Sequence, residues 1–208
     1  MDHFVITISR GSGCGGRILG GRLATELGIP CYDSDILRMA SEISGIDESL
    51  FEKSDEKVSL PFWKRKGSGD GSLIAPNSGG FLSEENLFRY QAYTLRELAK
   101  LHSFVAIGRA ANYILDDFPN HISVAVRAPL DYCIKQVMQQ RQLDESEAEI
   151  WIRKTDKMRQ EHYAYYTGRD WNDPRNFDII LNPAKIDLET SVEMIRLCLE
   201  SRMAKGKA

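Results

Sequence analysis

Five short stretches of the chain are predominantly apolar: residues 5–8, 29–32, 104–107, 122–126 and 177–181. Near-continuous rather than alternating apolarity predicts strands buried on both faces, as in a parallel sheet. Between them the apolar positions recur at helical spacing. Leu19, Leu23 and Leu27 stand four apart, and Gly28 follows where such a helix would stop. Leu130, Ile134, Val137 and Met138 form a second stripe; Leu188, Val192, Ile195 and Leu199 form a third. Strands alternating with helices predict βαβ units and a three-layer, doubly wound α/β fold on a parallel five-stranded sheet.

Two segments break the alternation. Residues 44–84 separate the second strand from the helix before the third, and their centre is rich in glycine and serine turn formers. Residues 141–175 pass from an acidic stretch through a basic helix to Tyr163, Tyr165, Tyr166 and Trp171. These aromatics are expected to pack rather than to stack on a base. No repeat with a period of about 20–50 residues is visible.

Composition narrows the class. With 208 residues, 42% of them hydrophobic and 27% charged, the chain can bury a core, and one globular domain is expected. No window approaches the ~18 consecutive apolar residues of a membrane span. The start, Met1-Asp2-His3, lacks the pattern of a secretory signal. Cys14, Cys31, Cys133 and Cys198 are scattered without a CxxC pair, which predicts neither a disulfide frame nor a zinc site and suggests a reducing cytoplasm. A net charge of −3 argues against a nucleic-acid coat. It is an average over a polarised chain. Residues 42–57 hold six acids against two lysines, whereas residues 151–159 hold four cations against Asp156. Composition leaves the oligomeric state open.

The strongest local signal is SRGSGCGGR at residues 9–17, placed after a strand and before a helix. Glycines let successive amides turn inward, and the helix start adds roughly half a positive charge, so such a loop cradles phosphate. Arg10, Gly11, Ser12, Gly13, Cys14, Gly15, Gly16, Arg17 and Ile18 are the candidate phosphate-binding residues. Two motifs fit. Gly11, Gly13 and Gly16 satisfy G-x-G-x-x-G, with Asp33 at the spacing of a ribose-binding acid. Gly11 and Gly16 also satisfy the G-x-x-x-x-G skeleton of a P-loop, in which Lys and Ser/Thr normally follow. Here Arg17 and Ile18 follow. Arginine can grip a phosphate as a fork. Ile18 cannot supply the hydroxyl that holds Mg²⁺, so Ser9, Ser12 or water would have to substitute, and no residue set is assigned to a metal.

Arginine placement favours the second motif. In open α/β sheets ligands bind at the carboxyl ends of the strands. Arg10 and Arg17 follow the first predicted strand, Asp33, Ser34 and Arg38 the second, Arg109 the third and Arg127 the fourth. A rim of arginines suits several phosphate groups better than one pyrophosphate held by backbone amides. The basic helix adds Arg153 and Lys157, four apart, with Arg159 beyond and Asp156 able to orient one of them. Phosphoryl transfer needs such cations because its catalysis is positioning, charge stabilisation and water exclusion.

At this point four segments carry a likeness: ITISRGSGCGGR, LGIPCYDSDIL, VAIGRAANYIL and KTDKMRQEHYAYYTGRDWNDPRNFDIILN. Together they resemble the cytidylate kinase-like family within the P-loop nucleoside monophosphate kinases, over nearly the whole chain. The resemblance implies one P-loop kinase domain over residues 1–208, with an acceptor-binding insertion at about 35–100 and a lid at about 150–175. It implies ATP over Gly11 to Arg17, with Mg²⁺, and Arg17 in place of the usual lysine. Asp33, Ser34, Arg38 and Arg109 would hold the acceptor nucleotide; Arg153, Lys157 and Arg159 would serve as lid cations. Nucleotides would be the partners, with neither nucleic acid nor membrane involved. The expected reaction is ATP-dependent phosphorylation of a nucleoside monophosphate, CMP or dCMP by the family's name. Two other readings stand beside it: a nucleotide-binding regulator that has lost catalysis, suggested by Ile18, and a dinucleotide-binding oxidoreductase, suggested by G-x-G-x-x-G with Asp33.

Overall fold

The computed structural model describes residues 3–56, 72–76 and 78–205. Five strands form one sheet, all neighbours parallel: β1 (Val5–Arg10), β2 (Cys31–Tyr32), β3 (Phe104–Ile107), β4 (His121–Val126) and β5 (Ile179–Leu181). Their spatial order is β2-β3-β1-β4-β5. In register, Ile6 lies between Val105 and Ile122, and Ile8 between Ile107 and Val124. β1, β3 and β4 are buried almost throughout, as near-continuous apolar runs predict. β2 and β5 are edges, and both are shorter than the apolar runs that predict them. An edge strand has one neighbour to set its length, so its ends fray first.

Helices cover both faces. On one lie α1 (Gly16–Leu27), α6 (Leu130–Arg141), the start of α7 (Glu145–Thr167) and α8 (Leu188–Lys205), packed through Leu19, Leu23, Val137, Ile152, Val192 and Ile195 against Ile6, Ile8, Ile122 and Val124. On the other lie α2 (Asp35–Ser44), α4 (Glu84–Leu101) and the single turn α5 (Ala111–Ile114), packed through Ile36, Leu95 and Ile114 against Val5, Phe104 and Ala106. Alternate β1 side chains therefore serve opposite layers, and the three-layer doubly wound expectation holds. A smaller core, built on Leu37, Phe51 and Leu87, joins α2 and α4 to α3 (Glu48–Glu56). The glycine- and serine-rich run at residues 67–71 lies outside the described residues.

Local signals explain the helix ends. Gly28 closes α1 in the left-handed conformation at φ 64°, its amide reaching the Ala24 and Thr25 carbonyls. Asp144 and Glu147 form a reciprocal capping box at the start of α7. Within α1, a side chain at Gly20 would meet Ile107 and Ile8 at 3.0–3.2 Å, so this glycine lets the helix lie close on the sheet. The loop before α1 is thereby held over the carboxyl end of β1. No described helix is long and apolar enough to cross a membrane.

Candidate active site

The loop joining β1 to α1 turns through Gly13 and Gly15, both left-handed at φ 73° and 76°. Gly13 is wedged against α6: an added Cβ would stand 2.5 Å from the Cys133 carbonyl oxygen. Gly15 caps α1, and a Cβ there would meet nothing within 4 Å. One glycine is thus required by packing, while the other faces open space at a helix N-terminus, where an anion is favoured.

Beside the loop, at the carboxyl ends of the strands, is a cleft of about 230 Å³. Its cations come from four elements. Arg10 ends β1, Arg17 lies in the first turn of α1, Arg109 follows β3, and Arg159 projects from α7. Asp33, just after β2, ties three of them. It accepts from Arg10 at 3.4 Å and from Arg17 at 2.5 Å, and its carbonyl accepts from Arg109 Nε at 2.8 Å. Asp156 on α7 ties the fourth, accepting from Arg159 at 3.1 Å. Among the described residues, four guanidinium groups meet two carboxylates here, an excess of positive charge. Burial, with Arg159 close by, lowers the Arg10 guanidinium to about 10, against the pull of Asp33. Burial likewise lowers Arg159, opposed by Asp156. Buried cations crowded together in this way are stabilised by an arriving anion.

The backbone is shaped to this end. Gly108, Arg109 and Ala110 are successive left-handed residues, at φ 78°, 55° and 52°. For the two that carry a Cβ this costs on the order of 1–3 kcal/mol each, a strain that persists where the surroundings over-determine it. The turn leaves Arg109 over Asp33 and admits Arg10 beneath: a Cβ on Gly108 would collide with the Arg10 guanidinium.

α7 meets the glycine loop directly. Asp156 accepts from both the Ser12 amide, at 2.9 Å, and the Ser12 hydroxyl, at 2.8 Å, while Arg159 donates to Ser12 Oγ at 3.0 Å. Thr155, Met158, Arg159 and His162 present one face of α7 to the cleft, with Tyr163 at its edge. Asn112, at the start of α5, donates to the Tyr163 hydroxyl at 3.0 Å. Phe88 of α4 stacks on Tyr166 of α7 at 4.0 Å, which joins the two helices behind the cleft.

Several expected residues stand elsewhere. Arg38 is exposed and pairs with Glu42 along α2 at 2.6 Å, and exposed Ser34 precedes that helix; neither lines the cleft. Arg153 pairs with Glu149 and Lys157 lies near Glu161, both on the solvent side of α7. Ile18 is 57% exposed and offers no side-chain oxygen. Arg127 is structural: it lies 4.0 Å over the Trp171 ring and donates to Ser9 and to the Trp171 carbonyl. No sequence pattern marks Asn112, Thr155, Met158 or His162 as cleft residues, whereas Tyr163 and Trp171 both pack, as expected, and line the cleft.

The family model described as cytidylate kinase-like matches residues 5–185. The chain belongs to that family. Among solved structures, an uncharacterized protein from Eubacterium ventriosum is 26% identical, with a TM-score of 0.71, over 96% of this chain and 99% of its own. Shikimate kinase from Bacteroides thetaiotaomicron is 15% identical, with a TM-score of 0.52, over 95% and 98%. No curated protein matches. Family and fold together support a P-loop kinase. They overturn the dinucleotide-binding reading, as does the geometry. The order β2-β3-β1-β4-β5 differs from the 3-2-1-4-5-6 order of dinucleotide folds, and the Asp33 carboxylate is engaged by Arg10 and Arg17 instead of standing ready for a ribose.

Proposed function

We propose that this cytidylate kinase-like protein transfers the terminal phosphoryl group of ATP to a nucleoside monophosphate, CMP or dCMP being the first acceptors to test. The observation that carries the reading is the convergence of Arg10, Arg17, Arg109 and Arg159 on a cleft next to an open glycine loop at the carboxyl rim of the sheet. The loop amides and the start of α1 would hold the donor phosphates over Gly15. Arg109 and Arg10, anchored by Asp33, would hold the acceptor phosphate, and Arg159 lies where charge develops between the two. Buried Tyr163 and Trp171 wall the cleft and exclude water. By this reading residues 35–100 carry the acceptor side and residues 150–175 the lid, with Arg159 its working cation.

Among the described residues no three of His, Cys, Asp and Glu gather as a metal cage. Mg²⁺ does not need one, since it takes one or two protein oxygens together with phosphate and water. The Ser12 hydroxyl and Asp156 carboxylate, hard oxygens beside the loop, fit that role in place of the hydroxyl that Ile18 lacks. Held there, the ion would spread negative charge across the donor phosphates. Ser12 and Asp156 would otherwise orient the loop and keep Arg159 aimed inward.

A coupled assay for ADP release across the common nucleoside monophosphates tests the reading, and pyrimidine monophosphates should give the highest kcat/KM. Absence of turnover with every acceptor in folded protein would overturn it. One observation favours a non-catalytic nucleotide binder: Asp156 already occupies the Ser12 amide. That reading requires ATP binding indifferent to Mg²⁺ and to CMP.

A further inference from the structure

Two thiols outside the cleft meet against the glycine loop. Cys14 lies within the loop and Cys133 in the first turn of α6, 119 positions along the chain; both are free and at most 4% exposed. Their sulfurs are 3.4 Å apart. We infer that Cys14 and Cys133 form an oxidisable pair whose disulfide locks the glycine loop onto α6 and weakens its hold on phosphate. The consequence rests on the donor-loop reading; the thiol chemistry does not.

The approach is built into the packing. Gly13 touches the Cys133 carbonyl so closely that a methyl group would not fit between them. The loop therefore cannot drift from α6 at that point, and the sulfurs are held together. A disulfide is about 2.05 Å long, so the sulfurs must close by a little over 1 Å, within reach of side-chain rotation and a small loop shift. Cys31, on β2, and Cys198, on α8, are half-buried on other elements.

The pair is also electronically unequal. The Cys133 thiol hydrogen-bonds to Cys14 and holds the Cys14 thiol below its ordinary value, with Arg127 acting the same way and burial and Asp156 opposing. The same contact, together with burial, raises Cys133. Cys14 is thus the nucleophile and Cys133 the partner that resolves the product. With hydrogen peroxide as oxidant, the Cys14 thiolate attacks one peroxide oxygen. The O–O bond breaks, and hydroxide leaves and takes up the proton that Cys14 had shed, leaving a sulfenic acid. The Cys133 sulfur then attacks Cys14, the S–S bond forms, and the hydroxyl departs as water with the Cys133 proton. Two thiols and one peroxide give one disulfide and two waters, with two electrons passing from sulfur to peroxide.

Closing the bond draws Cys14 toward α6 and away from its position between Gly13 and Gly15, the two left-handed residues that aim the loop amides. Amides that leave their aim lose phosphate affinity.

The test uses the full chain, treated with peroxide and then mapped by mass spectrometry without reductant, alongside calorimetric ATP titration. A Cys14–Cys133 cross-link, a fall from four thiols to two, and an ATP Kd raised at least about tenfold and restored by dithiothreitol are expected. Cys133→Ser should give no cross-link and should keep its ATP affinity through peroxide treatment. Cys133→Ala repeats the control with no hydroxyl to bury. Cross-links through Cys31 or Cys198 instead, accumulation of sulfinic acid at Cys14, or unchanged ATP binding by cross-linked protein would each overturn the inference. Reduced protein that binds no ATP would overturn the donor-loop reading and the proposed consequence, while the mass map alone would still decide the pairing.

Discussion

Gly13 and Gly15 sit two residues apart in one loop with nearly the same φ, yet alanine should act differently at each. In both variants a Cβ enters the left-handed region at a cost of roughly 1–2 kcal/mol, partly offset by the stiffer unfolded chain, for a net of about 1 kcal/mol. At Gly15 nothing lies within 4 Å, and that is the whole cost to folding. At Gly13 the Cβ would stand 2.5 Å from the Cys133 carbonyl oxygen and 3.0 Å from its Cα. These are backbone atoms of a packed helix and cannot rotate aside, so overpacking adds roughly 1–3 kcal/mol, for a total of about 2–4 kcal/mol. For a chain of this size each kcal/mol shifts Tm by roughly 2–4 °C, so Gly15→Ala should lose roughly 2–4 °C and Gly13→Ala roughly 4–16 °C. Ligand binding should separate from stability. The methyl at Gly15 would occupy the open space where phosphate approaches α1, weakening ATP at least about tenfold in a protein that remains folded. Thermal melts and calorimetric ATP titration of both variants measure this. Equal Tm losses would refute the packing argument, and wild-type ATP affinity in Gly15→Ala would refute the placement of the donor phosphates.

Arg109→Ala should raise the acceptor KM roughly 10–100-fold, the worth of a charge-assisted hydrogen bond, whereas Arg38→Ala and Arg153→Ala should leave steady-state kinetics unchanged, because among the described residues their guanidiniums form exposed pairs on their own helices. Gly108→Ala should displace the Arg10 guanidinium; the variant should fold, at a cost of about 1–2 kcal/mol for its left-handed φ, and should bind both nucleotides less tightly by calorimetry. Acid should destabilise the fold through His121, which is 4% exposed, hydrogen-bonded to Thr7 at 2.7 Å, and pushed by burial to about 4 from an ordinary 6.5. The unfolded chain takes this proton near pH 6.5 and the fold refuses it until about pH 4. Stability therefore falls as pH drops through that window, by about 3 kcal/mol in all. Urea titrations between pH 7 and 4 measure it, and an unchanged slope in His121→Gln would exclude this residue as the cause.

How legible the site was depends on the element that carries each residue. Arg10 ends a strand and Arg109 follows one, and a strand end points where the sheet directs it, so their place at the carboxyl rim could be read from position alone. The glycine loop was legible for the same reason. α7 was not. Arg153, Lys157 and Arg159 look like one cationic set along the chain, but at about 100° per residue Arg159 stands roughly 120° around the helix from Arg153 and roughly 160° from Lys157. Thr155 and His162 share the Arg159 face, while Arg153 and Lys157 point to solvent. Arg38 fails for a similar reason, since the buried Ile36, Leu37 and Ala40 turn α2 so that its arginine faces Glu42 and water.

Periodicity and punctuation by themselves determined the layered α/β fold, its five strands and the phosphate-type loop, because these follow from burial on both faces of a strand and from glycine's freedom at positive φ. Tertiary structure alone decided the pairings: Asp33 with Arg10, Arg17 and Arg109; Asp156 with Ser12; Cys14 with Cys133. These contacts join residues 16 to 144 positions apart. No local pattern encodes such a meeting. It arises because parallel crossovers return each strand end to one rim, and because α7 is anchored by its buried face in an orientation that turns Asp156 and Arg159 onto the loop.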